Sequence, residues 1–363
     1  MASALSFLLR RGWSNLRNDV LVLPSRVVAL VWVVVTLCLP LLSDDPYLLR
    51  VAAMTCIFAI LAASWDLLAG YAGQINFGHA LFFGSGAYTA ALVSIHFGVP
   101  NWIGIAAGAV AATAIGAAVG FLCLRLRGSY LSLATIAFPL IAIGILFAFP
   151  DFSGGELGVS GVKTLASTRP ASYLVVAVTM ILLVSAIWLI ADSKFGLVLH
   201  AIREDELAVR ASGINTTHYK VAVFSIAAAA AGVAGALYAH FMRGAGPSSL
   251  EVALSFQVVI WGIFGGLATI YGPVAAVFLL YPLTEWLGTF SDFGQARILV
   301  FAVIVLLVLL FMPRGLTPWL RDRIESRCPR CKERSAAWRR NCRLCGAPLD
   351  TAAVKTKWSP RKL

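Results

Sequence analysis

The stretch from Lys194 to Ile214, KFGLVLHAIREDELAVRASGI, separates an apolar run at 173–191 from another at 219–242. Within it Asp205 is placed to accept the first free N–H groups of a short helix, with Glu206 beside the positive N-terminal end. Leu207 to Ser212 then supply about two turns, Arg210 falls near the negative end, and Gly213 stands where a left-handed cap closes a helix. A polar loop with its own short helix, held between membrane-length helices, is what a membrane subunit needs to be driven by a soluble partner.

Working outward from that loop, the chain is far too apolar for a soluble protein of its length: hydrophobic residues are 60% of the 363 and charged residues 13%. Apolar runs of about 20 residues, the length that crosses a bilayer, recur along it. The sequence predicts an all-α, polytopic membrane protein of about ten spans, at 27–42, 48–69, 79–97, 102–123, 130–149, 173–191, 219–242, 252–268, 272–290 and 297–312. No cleavable leader is expected, since four arginines precede the first run and Leu39-Pro40-Leu41 is a poor cleavage site.

The formal charge of +12 sits at the two ends: +3 in residues 1–26 and +10 in residues 313–363, leaving −1 for the body between them. Arg10 to Arg26, Arg125 and Arg127, Lys194 to Arg210, and Arg314 onward fall on one side if ten spans alternate. Asp44, Asp45, Asp151, Glu156 and Asp292 fall on the other. The positive-inside rule then makes the basic side, and both termini, cytoplasmic.

The run at 102–123 carries Gly104, Gly108, Ala112, Gly116 and Gly120, and that at 219–242 carries Ala228, Gly232 and Ala236. Small residues at every fourth position let helices approach closely in lipid, either inside the subunit or at a seam between subunits.

Gly70 to His79, followed by Gly84-Ser85-Gly86-Ala87-Tyr88, is too rich in glycine and polar groups to face lipid. A broken or re-entrant segment lining a cavity accounts for it, and interrupted helices are common substrate sites; a solvated turn is the plainer alternative. The candidate path residues are Asp66, an ionisable group within or near a span, with Gln74, Asn76, Gly78, His79, Gly84 and Gly86. The loop at 150–172, with Gly154, Gly155 and Gly158, reads equally as an external gate or as a connector.

After the last run the tail contains Cys328 and Cys331, ten intervening residues, then Cys342 and Cys345. Two Cys-x-x-Cys pairs bring four thiolates within tetrahedral reach, the pattern of a structural zinc ribbon, here with a short spacer. A cytosolic tail disfavours disulfides, and four protein ligands leave no open coordination position for catalysis. The expected organisation is a basic segment at 1–26, a membrane domain at 27–316 with its loop at about 192–218, a linker at 317–327, the ribbon at 328–348 and a basic tail at 349–363. A protein partner or anionic lipid fits the tail better than nucleic acid, which is not expected as a partner.

Gly70-Tyr71-Ala72-Gly73-Gln74-Ile75-Asn76-Phe77-Gly78-His79-Ala80, with Gly86-Ala87-Tyr88 behind it, resembles the signature of branched-chain amino-acid ABC transporter permeases. So do Leu126 to Tyr130, Gly154 to Gly158, Ala201 to Glu204, Gly213-Ile214, Lys220, Ala231 to Leu237, Gly272-Pro273 and Phe311 to Leu316. The resemblance runs from about 48 to 316 and is closer to the member of the permease pair with the long outer loop. It implies a multi-pass permease in a prokaryotic inner membrane, a homologous second permease, two cytoplasmic ATPases that hold the ATP, and an extracytoplasmic binding protein. The cargo it implies is leucine, isoleucine, valine or a related small solute. It also implies that Arg203, Glu204, Asp205, Glu206, Leu207, Ala208, Gly213 and Ile214 form the element that couples to the ATPase. Leu207 stands where ABC permeases often have Glu, and Glu206 lies one position earlier. The zinc ribbon is an addition, because the family usually stops soon after Gly315-Leu316.

The chain has no Gly-x-x-x-x-Gly-Lys-Ser/Thr loop and no converging nucleophile and base, so the expectation is a transporter subunit and not an enzyme. The alternatives are a stand-alone carrier, which few charges within the spans would serve, and a membrane-anchored sensor signalling through its ribbon.

Overall fold

The computed structural model describes residues 24–42, 45–123, 129–288, 302–303, 306–307, 310, 312, 315–328 and 334–336. They fall into one unit of residues 39–316 and another made of residues 1–38 and 317–363. The helices up to the last described apolar one are α1 (Pro24–Leu42), α2 (Pro46–Asp66), α3 (Ala80–Phe97), α4 (Asn101–Leu122), α5 (Ser129–Ala148), α6 (Arg169–Ala191), α7 (Lys194–Glu204), α8 (Glu206–Ala211), α9 (Thr216–Met242), α10 (Val252–Gly265) and α11 (Tyr271–Gly288). The expected apolar runs from 27 to 290 therefore coincide with helices to within a few residues. The run at 297–312 lies largely outside the described residues.

Among the described residues, six helical segments are long and apolar enough to cross a membrane: Pro46–Tyr71, Ala80–Phe97, Asn101–Leu122, Tyr130–Ala148, Arg169–Ala191 and Thr216–Met242. α10 has only 14 residues. At 1.5 Å per residue α10 covers about 21 Å, well short of a hydrocarbon core of about 30 Å. It is a half-helix, where the composition suggested a full span.

Local chemistry sets the ends. Asp45 accepts from the Tyr47 N–H at 2.9 Å with Pro46 opening α2, and Thr168 accepts from the Ala171 N–H at 3.3 Å to open α6. Gly98 closes α3 at φ 60, and Arg243 closes α9 at φ 63. From Ala53 to Asp66 every residue of α2 is buried, so this helix is apolar all round and forms the centre of the unit. Phe58 meets Tyr281, Trp261 and Phe83 with ring centroids 5.0, 5.4 and 6.2 Å apart.

The small-residue stripes form an internal seam. A Cβ at Gly116 would collide with Ala228, one at Gly232 with Ala112, and one at Gly108 with the Gly86 carbonyl. α3, α4 and α9 thus approach to backbone contact, the packing that replaces the hydrophobic drive in lipid.

The segment expected to be broken over Gly70–Tyr88 is irregular only at 72–79. α2 continues into a π turn at Leu67–Tyr71, while Gly84 to Tyr88 lie inside the regular helix α3. Their glycines serve close packing: Gly84 receives the Leu250 side chain and Gly86 the Gly232 backbone. The loop at 150–168 holds a helical turn at Pro150–Ser153, a 3-10 turn at Gly155–Leu157 and β1 (Val159–Ser160), which pairs antiparallel with β2 (Gly244–Ala245).

In the other unit α12 (Leu316–Ile324) places the Arg323 guanidinium 4.2 Å from the Trp319 ring. The hairpin of β3 (Glu325–Arg327) and β4 (Arg334–Ala336) follows, in register Glu325↔Ala336. Cys328 comes directly after β3 and is buried; Cys331, Cys342 and Cys345 lie outside the described residues.

Candidate functional site

The loop helix α8 forms as its sequence dictates. Asp205 Oδ1 accepts from the N–H groups of Leu207 at 2.9 Å and Ala208 at 3.1 Å, and Gly213 takes φ 84 at the other end. The helix runs Glu206–Ala211, starting one residue before the expected position, because the capping residue makes Glu206 its first member. Val209 is buried, whereas Leu207 is 64% exposed.

Glu206 anchors this helix to the start of α9. Its Oε1 accepts from Arg210 Nη2 at 2.7 Å and from Thr216 Oγ1 at 3.2 Å, while Oε2 accepts from Lys220 Nζ at 2.7 Å. Arg210 Nε also donates to Thr216 Oγ1 at 2.8 Å. Lys220 is buried, so its charge is matched by a carboxylate rather than by water. The short helix is therefore a braced part of the membrane unit.

α7 connects that helix to the end of α2. Arg203 Nη1 donates to the Gly70 carbonyl, and the His200 ring lies 4.6 Å from the Tyr71 ring. The helix end supplies this acceptor, since the carbonyls of the last turn before Tyr71 have no intrahelical donor. Burial, then the Arg203 charge, hold the His200 imidazole below its ordinary range, with Glu204 opposing. A cavity of about 320 Å³ lies between the two loops, lined by Gly73, Gln74, Arg203, Glu204, Asp205 and Lys220 among others.

One turn before Gly70, the fully buried Asp66 clamps the connection between α10 and α11. Ala268 N–H donates to Oδ1 at 2.8 Å, and Thr269 and Ile270 N–H groups donate to Oδ2 at 3.0 and 2.8 Å. Ala268 and Ile270 stand at φ 58 and 52, a left-handed geometry that aims the three donors at one acceptor group. A Cβ on Gly70 would collide with both Asp66 Oδ1 and the Ala268 nitrogen, which is why the position is glycine.

The irregular segment 72–79 is satisfied by side chains of three helices. Trp65 Nε1 donates to the Asn76 carbonyl at 2.8 Å, Ser132 Oγ to the Ile75 carbonyl at 3.0 Å, and Thr135 Oγ1 accepts from Phe77 N–H at 3.0 Å. Ser255 Oγ accepts from Ala80 N–H at 2.9 Å. Non-helical backbone persists at this depth because protein groups replace the missing ladder. Asn76 Oδ1 accepts from Gly78 N–H at 2.8 Å, and His79 Nε2 meets Ser64 Oγ at 2.8 Å. Asn76 Nδ2 and His79 Nδ1 are buried without a partner among the described residues.

The structure thus joins Arg203, Glu204, Asp205, Glu206, Leu207 and Gln74 around one cavity, with Ala208, Gly213 and Ile214 on or after α8. It places Asp66, Asn76, Gly78 and His79 in the interior, and Gly84 and Gly86 on α3. Sequence reading missed Tyr71, His200 and Thr216. The i,i+4 pairing of Glu206 with Arg210 was legible; Lys220 entered the sequence reading only as part of the family resemblance, with no partner named.

The family model described as branched-chain amino acid transport system / permease component matches residues 47–312. The high-affinity branched-chain amino acid transport system permease protein LivM of Salmonella typhimurium is 28% identical over 315 residues, covering 79% of this chain and 73% of that protein. LivH of Escherichia coli (strain K12), a permease protein of the same transport system, is 25% identical over 284 residues, covering 71% and 90%. The ribose import permease protein RbsC of the same strain is 25% identical over 274 residues, covering 72% and 84%. No solved structure gives a significant match.

Proposed function

The chain belongs to the permease-component family of branched-chain amino acid transport systems, and from that premise we propose that it forms one half of the membrane core of an ATP-driven importer. Its cargo is leucine, isoleucine, valine or a close relative, its partners a second permease, two cytoplasmic ATPases and an extracytoplasmic binding protein. The reading keeps both termini cytoplasmic in a prokaryotic inner membrane, with α10 and the inward-running segment before it standing in for one of the ten expected crossings.

The observation that carries it is the braced loop helix. α8 presents exposed Leu207 outward while Glu206, Lys220 and Arg203 tie it to α9 and to the end of α2. An ATPase that moves α8 therefore moves the π turn and, through it, the segment carrying Asn76 and His79. Rigid-body tilting of the spans then alternates access to the path, the kind of switch that packed helices support. Asp66, Gln74, Asn76, Gly78, His79, Gly84 and Gly86 mark the proposed neighbourhood of that path.

The tail is proposed to fold around one zinc ion held by Cys328, Cys331, Cys342 and Cys345. The buried Cys328 at the end of β3, with β4 following the first pair, supports a knuckle at the tip of a hairpin. Elemental analysis of the purified chain should find one zinc per molecule, and Cys342→Ser should remove it.

Co-purification in mild detergent tests the main reading. An ABC ATPase and a homologous permease should accompany the tagged chain, and the isolated complex should accumulate a branched-chain amino acid when supplied with ATP and its binding protein. A chain recovered alone would overturn it.

A further inference from the structure

α9 does not lead into an ordinary surface loop. Arg243, at φ 63, turns the chain back, and β2 followed by the 3-10 turn Pro247–Leu250 runs inward along α3. Leu250 packs against Gly84, and Ser255 Oγ holds the Ala80 N–H at 2.9 Å. Both contacts are at the start of α3, whose far end, Phe97, lies thirteen residues beyond Gly84, about 20 Å along the helix axis. Glu251, between Leu250 and Ser255, therefore sits deep alongside a membrane span.

Glu251 is exposed on the open side of this segment, and among the described residues it has neither an ion pair nor a side-chain hydrogen bond. It opens the half-helix α10, which begins without a side-chain cap and whose Leu254 N–H turns back to the Glu251 carbonyl at 3.0 Å. Glu251 borders an open cavity of about 570 Å³ on the surface of the unit together with Ser248, Leu254, Phe256, Gln257 and Ile260. One wall is therefore anionic and polar and the rest is apolar. The Phe256 ring lies 5.4 Å from Phe77, which joins this cavity to the irregular segment 72–79.

We propose that this cavity is the subsite that holds the transported amino acid inside the membrane. Glu251 takes the ammonium group, the uncapped start of α10 faces the carboxylate, and Leu254, Phe256 and Ile260 take an apolar side chain. Half-helix ends at mid-depth serve this purpose in other membrane carriers, and an acid within a membrane segment marks a substrate or ion path by default. The assignment rests on the cargo class proposed above.

The test uses the complete transporter, with its partner subunits and binding protein, in proteoliposomes supplied with ATP and radiolabelled leucine, isoleucine and valine. Glu251→Gln should raise KM roughly tenfold or more while the complex still assembles and hydrolyses ATP, the loss expected when a charge-assisted contact goes. Glu251→Asp should recover most of the uptake. A cysteine introduced by Leu254→Cys should be alkylated more slowly in saturating leucine and at an unchanged rate in ribose. Wild-type uptake together with unchanged KM in Glu251→Gln, or alkylation indifferent to leucine, would overturn the subsite and leave the importer reading standing. Wild-type proteoliposomes that accumulate none of the three would overturn the cargo class and this subsite with it.

Discussion

The ammonium of Lys220 lies 2.7 Å from Glu206 Oε2, the two side chains only 5% and 14% exposed. This pair fixes the loop helix to the head of α9. Removing Lys220 leaves Glu206 held by Arg210 and Thr216 alone, a loss of about 1.5–3 kcal/mol for one charge-assisted contact. Lys220→Met should therefore free α8, seen as faster amide exchange at 206–211, and abolish uptake while the chain still inserts. Glu206→Gln combined with Lys220→Met should do less harm than the two single losses added together, since both break the same contact.

Arg203 and the Gly70 carbonyl form the contact between α7 and the π turn. A hydrogen bond from a charged donor contributes about 1.5–3 kcal/mol. Arg203→Ala should lower uptake roughly tenfold or more while ATP hydrolysis by the assembled complex persists, and Arg203→Lys should restore part of it. Equal loss of uptake and hydrolysis would mean that Arg203 supports assembly and not transmission.

Asp66 offers two oxygens to three backbone donors, so an amide cannot substitute for it. Asp66→Asn turns an N–H₂ group toward Ala268 or toward Thr269 and Ile270, at a loss of about 2–3 kcal/mol. The folded fraction in detergent should fall, and Gly70→Ala should act in the same direction by forcing a methyl group between Asp66 and Ala268. Gly144→Ala, where nothing stands within 4 Å, is the neutral control.

His200 carries a proton less readily in the folded chain than in the unfolded one, whose imidazole titrates near 6.5. The stability linked to this group is thus fully present above about 6.5 and is lost as the pH falls through the lower folded value. His200→Phe keeps an aromatic ring against Tyr71 and removes the proton. The melting temperature of wild type should drop relative to His200→Phe between pH 6.5 and 5; parallel curves would show that the ring is not held neutral.

What sequence alone determined about this chain is what neighbours along it can enforce. Asp205, Arg210 and Gly213 specify α8 through contacts within four residues or through one backbone angle, and apolar runs specify the span helices because each satisfies its own backbone. The small-residue stripes of α4 and α9 were equally legible, though they named no partner. Tertiary structure alone decided what joins distant segments: Asp66 with Ala268, 202 residues apart, Arg203 with Gly70, 133 apart, and Ser255 with Ala80, 175 apart. It also turned an apolar run at 252–268 into a half-helix at 252–265 and carried Glu251 inward, where the residue preceding a span would be expected at a surface. Hydropathy records how apolar a segment is and not how deep it lies, because a helix packed against protein and a helix crossing lipid demand the same side chains.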